Sequence, residues 1–296
     1  MKIFNLNPTA NKNHKGLAIS IGVFDGVHLG HQKILNKLIS YKPCGVITFY
    51  KHPRSGVKLL QPFCERLRIF KAMGINKAFA VSSRDKLLSL SAEDFVINVL
   101  KPMGIDTVVV GLDFRLGHNR DTDVNEFEKI CEKYKIIVDK IDIVLEGHNE
   151  KLSSTEIRSE ISKGEMKEAN ALLGRPFSIK GYVVRGAGLG AKIGFSTANI
   201  NPHPIKQVVP ANGVYRTQTL IGQKTYDSMT YIGTNPTLKD GKYYSIETHI
   251  PGFNKDLHGK VIEVKFLERT RGEIKFNSAS ELAKAIKKDI KSGLAV

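Results

Sequence analysis

One stretch near the N-terminus, residues 19–33 with the sequence ISIGVFDGVHLGHQK, constrains the fold more than any other part of the chain. An apolar run at residues 17–23 predicts a buried strand, which stops at a turn formed by Asp25 and Gly26. The segment HLGH at residues 28–31 then opens an amphipathic helix that is predicted to run to about Ile39. The chain is therefore expected to contain a strand, a tight turn and a helix whose first turn carries two histidines.

His28 and His31 are three residues apart at this helix start, so they share one helix face near the positive end of the helix dipole. The unpaired backbone N–H groups of a helix start attract phosphate, and Gly30 lets a phosphate approach the backbone without a Cβ in the way. This chemistry indicates a triphosphate site with two donors for charge on a bridging or leaving oxygen. The alternative is that the histidines only cap the helix or lie on its surface.

The bulk composition is that of a soluble globular protein, with 41% hydrophobic and 25% charged residues in a chain of 296 residues. That length is enough for two domains of ordinary size. The net charge of +16 is spread over scattered lysines, which is compatible with a solvated surface or with attraction of polyanions such as nucleotides or nucleic acid. No zinc-finger or RNP-like sequence supports nucleic acid, and we predict that the protein does not bind it.

Three widely separated cysteines, Cys44, Cys64 and Cys131, argue against a disulfide framework and for a reducing compartment. There is no CxxC pair that would indicate zinc. The N-terminus lacks the apolar core of a signal peptide, and no stretch of 18 apolar residues predicts a transmembrane helix. We therefore expect a cytoplasmic protein that does not bind membranes and is a monomer or a weak homo-oligomer.

Apolar strands alternate with helices through residues 1–176, which predicts a parallel sheet covered on both faces by helices. Ligands bind such sheets at the carboxyl ends of the strands. His28, His52 and Asp113 each follow a predicted strand, so we expect them to converge on one cleft.

Residues 177–296 have a different pattern, in which short alternating or β-branched runs are separated by turns. The runs lie at residues 177–185, 213–220, 224–232, 243–250 and 260–267, and they predict a small antiparallel barrel followed by one helix at about 280–291. We place the domain boundary near residue 177, because Gly174 and Pro176 end the preceding helix.

Two segments of this second half offer groups that could bind ATP or a metal ion. Gly186, Gly188 and Gly190 form a flexible loop able to wrap phosphates, although no Walker A sequence follows. Thr197 and Asn199 are two residues apart, so on an extended segment both side chains point the same way and offer hard oxygen ligands to Mg²⁺. The plainer alternative is that both side chains only hydrogen-bond the backbone of a loop.

The run GVFDGVHLGHQ resembles the nucleotidylyltransferase superfamily and, within it, the bacterial riboflavin kinase/FAD synthetases. Class I aminoacyl-tRNA synthetases have a related histidine signature, but the chain has no KMSKS-like segment. Two further runs, GLDFRLG at 111–117 and SSTEIR at 153–158, match family motifs in the family's order. The resemblance implies that FMN attacks the α-phosphorus of ATP to give FAD and pyrophosphate. It implies catalytic roles for His28, His31 and Arg158, and ATP or flavin contacts for Gly22, Phe24, Asp25, Gly30, His52, Asp113, Ser154 and Thr155.

GFSTANI at residues 194–200 resembles the GFPTAN signature of riboflavin kinases, with Ser196 in place of proline. The resemblance implies that Thr197 and Asn199 bind Mg²⁺, and that Glu247 takes the proton from riboflavin as it attacks the γ-phosphate of ATP. It also implies ATP or flavin contacts for Gly186, Gly188, Gly190 and Arg271.

The resemblance spans residues 16–291 and predicts a bifunctional enzyme of FAD biosynthesis. A Rossmann-like α/β adenylyltransferase domain (1–176) would precede a riboflavin kinase barrel (177–296), with riboflavin, FMN and ATP as small-molecule substrates. The alternative is an adenylyltransferase with a weak or silent kinase, prompted by Ser196. Val23, where the family usually has Asn, is a second departure. A regulatory RNA-binding protein is a third hypothesis, prompted by the +16 charge.

Overall fold

The structure is a computed structural model that describes residues 1–6, 14–82, 86–143, 152–186, 190, 193–201, 207–235 and 243–293, with the backbone alone at residues 86, 88, 235 and 243. The chain divides into two compact units, Met1–Ser154 and Thr155–Val296. The predicted boundary at residue 177 lies about twenty residues later, so the helices between the two positions fall in the second unit, and this boundary stays a prediction.

The first unit contains a sheet of six parallel strands in the order β1-β4-β3-β2-β5-β8. The strands are β1 (Lys2–Asn5), β2 (Leu17–Ile21), β3 (Cys44–Phe49), β4 (Lys77–Val81), β5 (Ile105–Gly111) and β8 (Ile137–Ile141). Two short antiparallel strands, β6 (Arg115–Leu116) and β7 (Thr122–Asp123), pair outside this sheet. The predicted parallel sheet is confirmed.

Helices cover both faces of the sheet, which explains why strands such as β2 are buried along their whole length. The helices are α1 (Leu29–Leu38), α2 (Phe63–Ala72), α3 (Ala92–Phe95), α4 (Lys101–Met103) and α5 (Val124–Lys133), with a 3₁₀ turn at Lys86–Ser89 and a π-helical stretch at Val96–Leu100 that joins α3 to α4. Leu35 of α1 and Phe70 of α2 share a core with Ala18 of β2. Val99 and Phe127 belong to the core on the other face, so the two sides of each strand contribute to different cores.

The carboxyl ends of three neighbouring strands carry the predicted ligand-binding residues. β2 pairs with β3 on one side and with β5 on the other. His28 follows β2, His52 follows β3 and Asp113 follows β5, so all three start from the same edge of the sheet. This edge is the expected ligand-binding position in a doubly wound sheet.

The second unit is a closed barrel with the strand order β10-β13-β12-β11-β14-β9. Its antiparallel strands are β9 (Phe177–Val184), β10 (Thr197–Asn201), β11 (Gly213–Ile221), β12 (Lys224–Asn235), β13 (Tyr243–His249) and β14 (Val261–Arg271). The predicted barrel is confirmed. It contains one strand more than the five predicted runs, namely β10, which the sequence predicts only as an extended segment.

The described residues of this part of the chain include the helices α6 (Ser154–Lys163), α7 (Met166–Leu173) and α8 (Ala279–Gly293). Asn170 fixes α7 to the barrel, because its amide donates to the carbonyl of Phe266 at 2.8 Å and accepts from the N–H of Phe177 at 2.7 Å. In the described part of the chain, no helix is both long enough and apolar enough to cross a membrane.

A chain of buried hydroxyls runs through the barrel interior. Thr217 contacts Ser228 and Thr230 at 2.9 and 2.8 Å, and Thr230 contacts Thr248 at 2.8 Å. Because side chains alternate along a strand, the inward position of Thr248 on β13 turns its neighbour Glu247 to the outer face. The interior of the barrel therefore determines which face of β13 carries the predicted base.

Candidate active sites

The turn between β2 and α1 has an unusual backbone. Phe24 and Val27 have φ angles of 51° and 40°, in the left-handed region that β-branched residues such as valine rarely occupy. Both side chains are buried in the core on the α1 face of the sheet. Gly22 leaves room for the Phe24 ring, since a Cβ there would lie 3.1 Å from Phe24 Cζ. The turn is therefore fixed by packing, and it delivers His28 to the start of α1.

His28 and His31 lie together at the start of α1, as predicted. His28 is the N-cap residue, and its Nδ1 accepts the backbone N–H of His31 at 3.3 Å. The two rings stack with centroids 3.6 Å apart, and His28 is only 3% exposed. Gly30 permits this arrangement, because a Cβ there would lie 3.3 Å from the His28 ring. Capping and pairing coexist here, so one motif both begins the helix and places two imidazoles side by side.

Asp25 faces inward rather than toward an open site. Its carboxylate accepts backbone N–H groups from Leu60 at 2.9 Å and Gln61 at 3.1 Å, and the residue is 2% exposed. Its carbonyl accepts the Ser154 hydroxyl at 2.9 Å. These contacts give Asp25 and Ser154 a role in holding the turn, and direct contacts with ATP or flavin stay predictions.

A cleft of about 730 Å³ opens beside the end of β5. Asp113 and Phe114 line it together with three arginines, Arg54, Arg115 and Arg120. A further lining carboxylate, Asp123, caps α5 through N–H groups of that helix, and these hydrogen bonds lower its pKa. The guanidinium groups therefore outnumber the carboxylates in the cleft, which suits an anionic ligand. His52 is two residues before the lining residue Arg54, and its Nδ1 accepts the N–H of Arg54 at 3.1 Å.

Thr155 and Arg158 both belong to α6, whose first turn the family resemblance predicts to bind ATP phosphates. Arg158 Nη1 donates to Thr155 Oγ1 at 3.3 Å, so the two side chains point the same way. Both residues fall in the second compact unit. Their assignment to the adenylyl-transfer reaction stays a prediction.

The barrel brings together the three residues predicted for phosphoryl transfer. Asn199 of β10 is the register partner of Glu247 on β13, and Thr197 Oγ1 donates to Glu247 Oε2 at 3.2 Å. Ser245 donates to the other carboxylate oxygen of Glu247 at 2.9 Å. All of these side chains are half-buried on the outer face of the barrel. A hydroxyl, an amide and a carboxylate thus share one small surface.

Two glycines of the preceding loop pack against this surface. A Cβ on Gly186 would lie 2.5 Å from Asn199 Cγ, so the amide occupies the space that a side chain at residue 186 would need. A Cβ on Gly190 would collide with the carbonyl of Phe195. Gly188 lies outside the described residues. Glycine is therefore needed here for close approach to residues 195–199.

Ser196, where the family motif has proline, is held by a hydrogen bond. Nδ1 of His249 lies 2.8 Å from the Ser196 carbonyl and donates to it, since a carbonyl only accepts. The His249 ring also packs edge-on against Phe195, with centroids 5.5 Å apart. This contact restrains the segment that leads into Thr197, at the position where the proline ring is missing.

Arg271 forms an ion pair within the chain. Its guanidinium forms a bidentate pair with Asp289 of α8, with Nε and Nη2 at 3.1 and 2.8 Å from the carboxylate. The pair joins the end of β14 to the C-terminal helix. A contact between Arg271 and nucleotide or flavin stays a prediction.

The two halves of the chain match two protein families. Residues 10–156 match the FAD synthetase family, and residues 173–296 match the riboflavin kinase family. Among solved structures, one described as a macrolide-efflux protein from Streptococcus pneumoniae has a TM-score of 0.90 and 28% identity, with full coverage of both chains. The fold of the whole chain, from sheet to barrel, is thus found in an experimental structure.

Curated relatives extend over almost the entire chain. The bifunctional riboflavin kinase/FMN adenylyltransferase of Listeria monocytogenes is 34% identical and covers 92% of this chain and 89% of its own length. The protein of the same name from Buchnera aphidicola subsp. Schizaphis graminum is 32% identical, covering 98% of this chain and 97% of its own length. That of Bacillus subtilis is 31% identical, with coverages of 92% and 89%. The chain therefore belongs to the family of bifunctional riboflavin kinase/FMN adenylyltransferases.

Proposed function

We propose that this chain converts riboflavin to FMN on its barrel and FMN to FAD in its α/β adenylyltransferase domain (1–176), using ATP in both reactions. The single observation that supports this best is the presence of two separate polar constellations. One is the stacked pair His28–His31 at the start of α1, and the other is the trio Thr197, Asn199 and Glu247 on the outer face of the barrel.

In the predicted adenylyltransferase domain (1–176), an oxygen of the FMN phosphate attacks the α-phosphorus of ATP. The bond from that phosphorus to the bridging oxygen breaks, and pyrophosphate leaves. The nucleophile is already an anion, so the protein supplies positioning and charge stabilisation. We assign His28 and His31 to the ATP phosphates and Arg158 to the leaving pyrophosphate. The arginine-lined cleft beside Asp113 is assigned to FMN, whose phosphate the guanidinium groups would attract.

On the barrel, the terminal hydroxyl of riboflavin attacks the γ-phosphorus of ATP, and the bond to the β–γ bridging oxygen breaks to release ADP. Glu247 accepts the proton of that hydroxyl. Thr197 and Asn199 offer neutral, hard oxygen donors, which fits a Mg²⁺ ion whose remaining ligands are ATP oxygens. When bound, Mg²⁺ would neutralise the phosphate charge. Ser245 and Thr197 orient the Glu247 carboxylate through their hydrogen bonds.

Ser196 favours a second candidate, an adenylyltransferase whose kinase is weak. Losing a proline gives the backbone more freedom and would loosen the Thr197 and Asn199 geometry. The hydrogen bond from His249 to the Ser196 carbonyl opposes this effect. We therefore favour a working kinase.

Separate assays of the two half-reactions test the proposal. Purified protein would receive either riboflavin or FMN with ATP and Mg²⁺, and products would be resolved by chromatography with flavin fluorescence. We expect FMN, followed by FAD, in the first mixture and FAD in the second. FAD formation from FMN with no consumption of riboflavin would instead support the second candidate, and no flavin product in either mixture would contradict both.

Gly186→Ala tests whether the glycine loop and the metal-binding pair form one kinase site. The added methyl would overlap the Asn199 amide, so Asn199 must move. We expect riboflavin phosphorylation to fall about 100-fold, as expected for a displacement of about 1 Å at a reacting centre, and FMN adenylylation to stay unchanged. Asn199→Ala should show the same loss, and the double variant should lose no more than either one. Full additivity of the two losses would show that Gly186 acts elsewhere.

The proposal includes the setting of the enzyme. We propose that it acts in the cytoplasm on small-molecule substrates, without nucleic acid or membrane partners, as a monomer or weak homo-oligomer. Light scattering across a range of protein concentrations tests the oligomeric state. A salt-dependent RNA mobility shift that survives excess ATP and flavin would contradict the exclusion of nucleic acid.

A further inference from the structure

Arg66 of α2 is a buried charged residue of the first unit. It is 0% exposed, and its side chain reaches the carboxyl ends of two adjacent strands. Nη1 donates to the carbonyl of Val23 and, at 3.1 Å, to the hydroxyl of Thr48. Nη2 donates to the carbonyl of Phe49 at 2.6 Å. One guanidinium therefore connects the end of β2 to the end of β3.

Moving a charged guanidinium from water into the protein interior costs free energy unless hydrogen bonds compensate for it. Burial lowers the pKa of Arg66 to about 10, and the nearby Asp25 carboxylate opposes that shift, so the group stays charged at neutral pH. A buried charge is tolerated when it is paired and hydrogen-bonded. Both Nη atoms of Arg66 are hydrogen-bonded to backbone and hydroxyl oxygens at the carboxyl ends of the strands, whereas its buried Nε has no hydrogen-bond partner among the described residues.

The acceptors of Arg66 stand next to both segments that carry imidazoles. Val23 is followed by the turn with positive φ at Phe24 and Val27, and this turn leads directly to His28. Phe49 lies three residues before His52. Non-glycine residues at positive φ are strained, and they persist only where the surroundings enforce them.

A second set of contacts holds the same turn. Asp25 binds the N–H groups of Leu60 and Gln61, and Thr48 Oγ1 donates to the Val23 carbonyl at 3.2 Å. Arg66 of α2 adds to these contacts by connecting the segment after β2, at Val23, with the end of β3, at Phe49. Removing it would free the carbonyl of Val23 from its charged donor and let the turn relax.

We propose that Arg66 is a positioning residue for adenylyl transfer, which holds the strained turn so that His28 and His31 meet the ATP phosphates. It acts through the backbone at Val23 and Phe49 and does not touch the nucleotide. The inference rests on the proposed function of the α/β unit and adds a residue that lies outside the motifs of the chain.

The test compares Arg66→Met, Arg66→Lys and the control Arg68→Met in the full-length protein. Arg68 lies on the same helix but its side chain is 62% exposed in a surface pair with Glu65. For each variant, kcat and the KM for ATP would be measured for FMN adenylylation, with riboflavin phosphorylation assayed in the same preparation. A misplacement of about 1 Å predicts a fall of about 100-fold in adenylylation kcat for Arg66→Met. Arg66→Lys should lose less, because an ammonium group still donates to some of these acceptors.

Kinase activity and the behaviour of Arg68→Met should match the wild type. Adenylylation at the wild-type rate in Arg66→Met would overturn the proposal. So would equal losses of kcat in the Met and Lys variants, or a rise of KM alone. If Arg66→Met fails to fold, the adenylylation kcat of Arg66→Lys decides: a lowered kcat supports the proposal, and a wild-type kcat overturns it. Wild-type protein that makes no FAD from FMN would instead refute the proposed function, a failure that is visible before any variant is made.

Discussion

We expect His31→Ala to lose nearly all FAD formation from FMN while FMN formation from riboflavin continues at about the wild-type rate. The reason is that His31 supplies one of two stacked imidazoles at the phosphate-attracting start of α1, 3.6 Å from the His28 ring. Losing a donor aimed at developing charge costs about 100- to 1000-fold in kcat. The measurement is the initial rate of each half-reaction on one preparation, so that the kinase reports the amount of folded protein.

His28→Asn is the matched comparison for this prediction. His28 caps α1 by accepting the N–H of His31, and asparagine is also a good N-cap residue, so the helix start should survive while the imidazole is lost. We expect the same selective loss of FAD formation. If His28→Asn kept full adenylylation, the imidazole of His28 would have only a capping role. If His31→Ala removed both activities in folded protein, the assignment of two separate sites would be wrong.

Glu247→Gln should have the opposite effect, stopping FMN formation from riboflavin while FAD formation from added FMN continues. The amide keeps the size of the carboxylate and can still bond Thr197 and Ser245, but it cannot accept a proton from the substrate hydroxyl. General base catalysis contributes about 100- to 10,000-fold, so we expect a loss in that range. Riboflavin phosphorylation and FMN adenylylation would again be measured side by side.

Glu263→Gln is the control for the loss of one negative charge. Glu263 is also half-buried and faces outward on a barrel strand, β14, between the buried residues Ile262 and Val264. We expect both activities of this variant to equal those of the wild type. Riboflavin phosphorylation that survived in Glu247→Gln would show that Glu247 is not the base.

The parallel sheet and the barrel are predictable because the hydrophobic patterns of their strands are local in sequence. Strand β2 is apolar along its length since helices cover both faces, and β9 alternates because one face lies inside the barrel. The strands that escape prediction are short. β10 has the sequence TANIN, in which Ala198 and Ile200 alternate with polar residues, but Ile200 is the single strongly apolar residue in this run of five.

The motif residues of both sites are predictable, but the residues that hold them are not. Arg66 lies in an ordinary amphipathic helix, and only the folded chain shows that its guanidinium ends at Val23 and Phe49. The hydrogen bond from His249 to the Ser196 carbonyl joins residues 53 positions apart, which no local pattern reveals. Asp25 belongs to the motif, yet its carboxylate faces the loop at Leu60.

The most direct test of the central claim, that one chain holds two ATP sites with different chemistry, is to supply riboflavin and Mg²⁺ with ATP labelled at either the α- or the γ-phosphorus. The account predicts that label from the γ-position enters FMN first and is then carried into FAD. Label from the α-position should enter no flavin except FAD, and should appear there only after FMN has formed. FAD that carries no γ-label would contradict it, and so would γ-label that appears in pyrophosphate but in no flavin while added FMN is adenylylated.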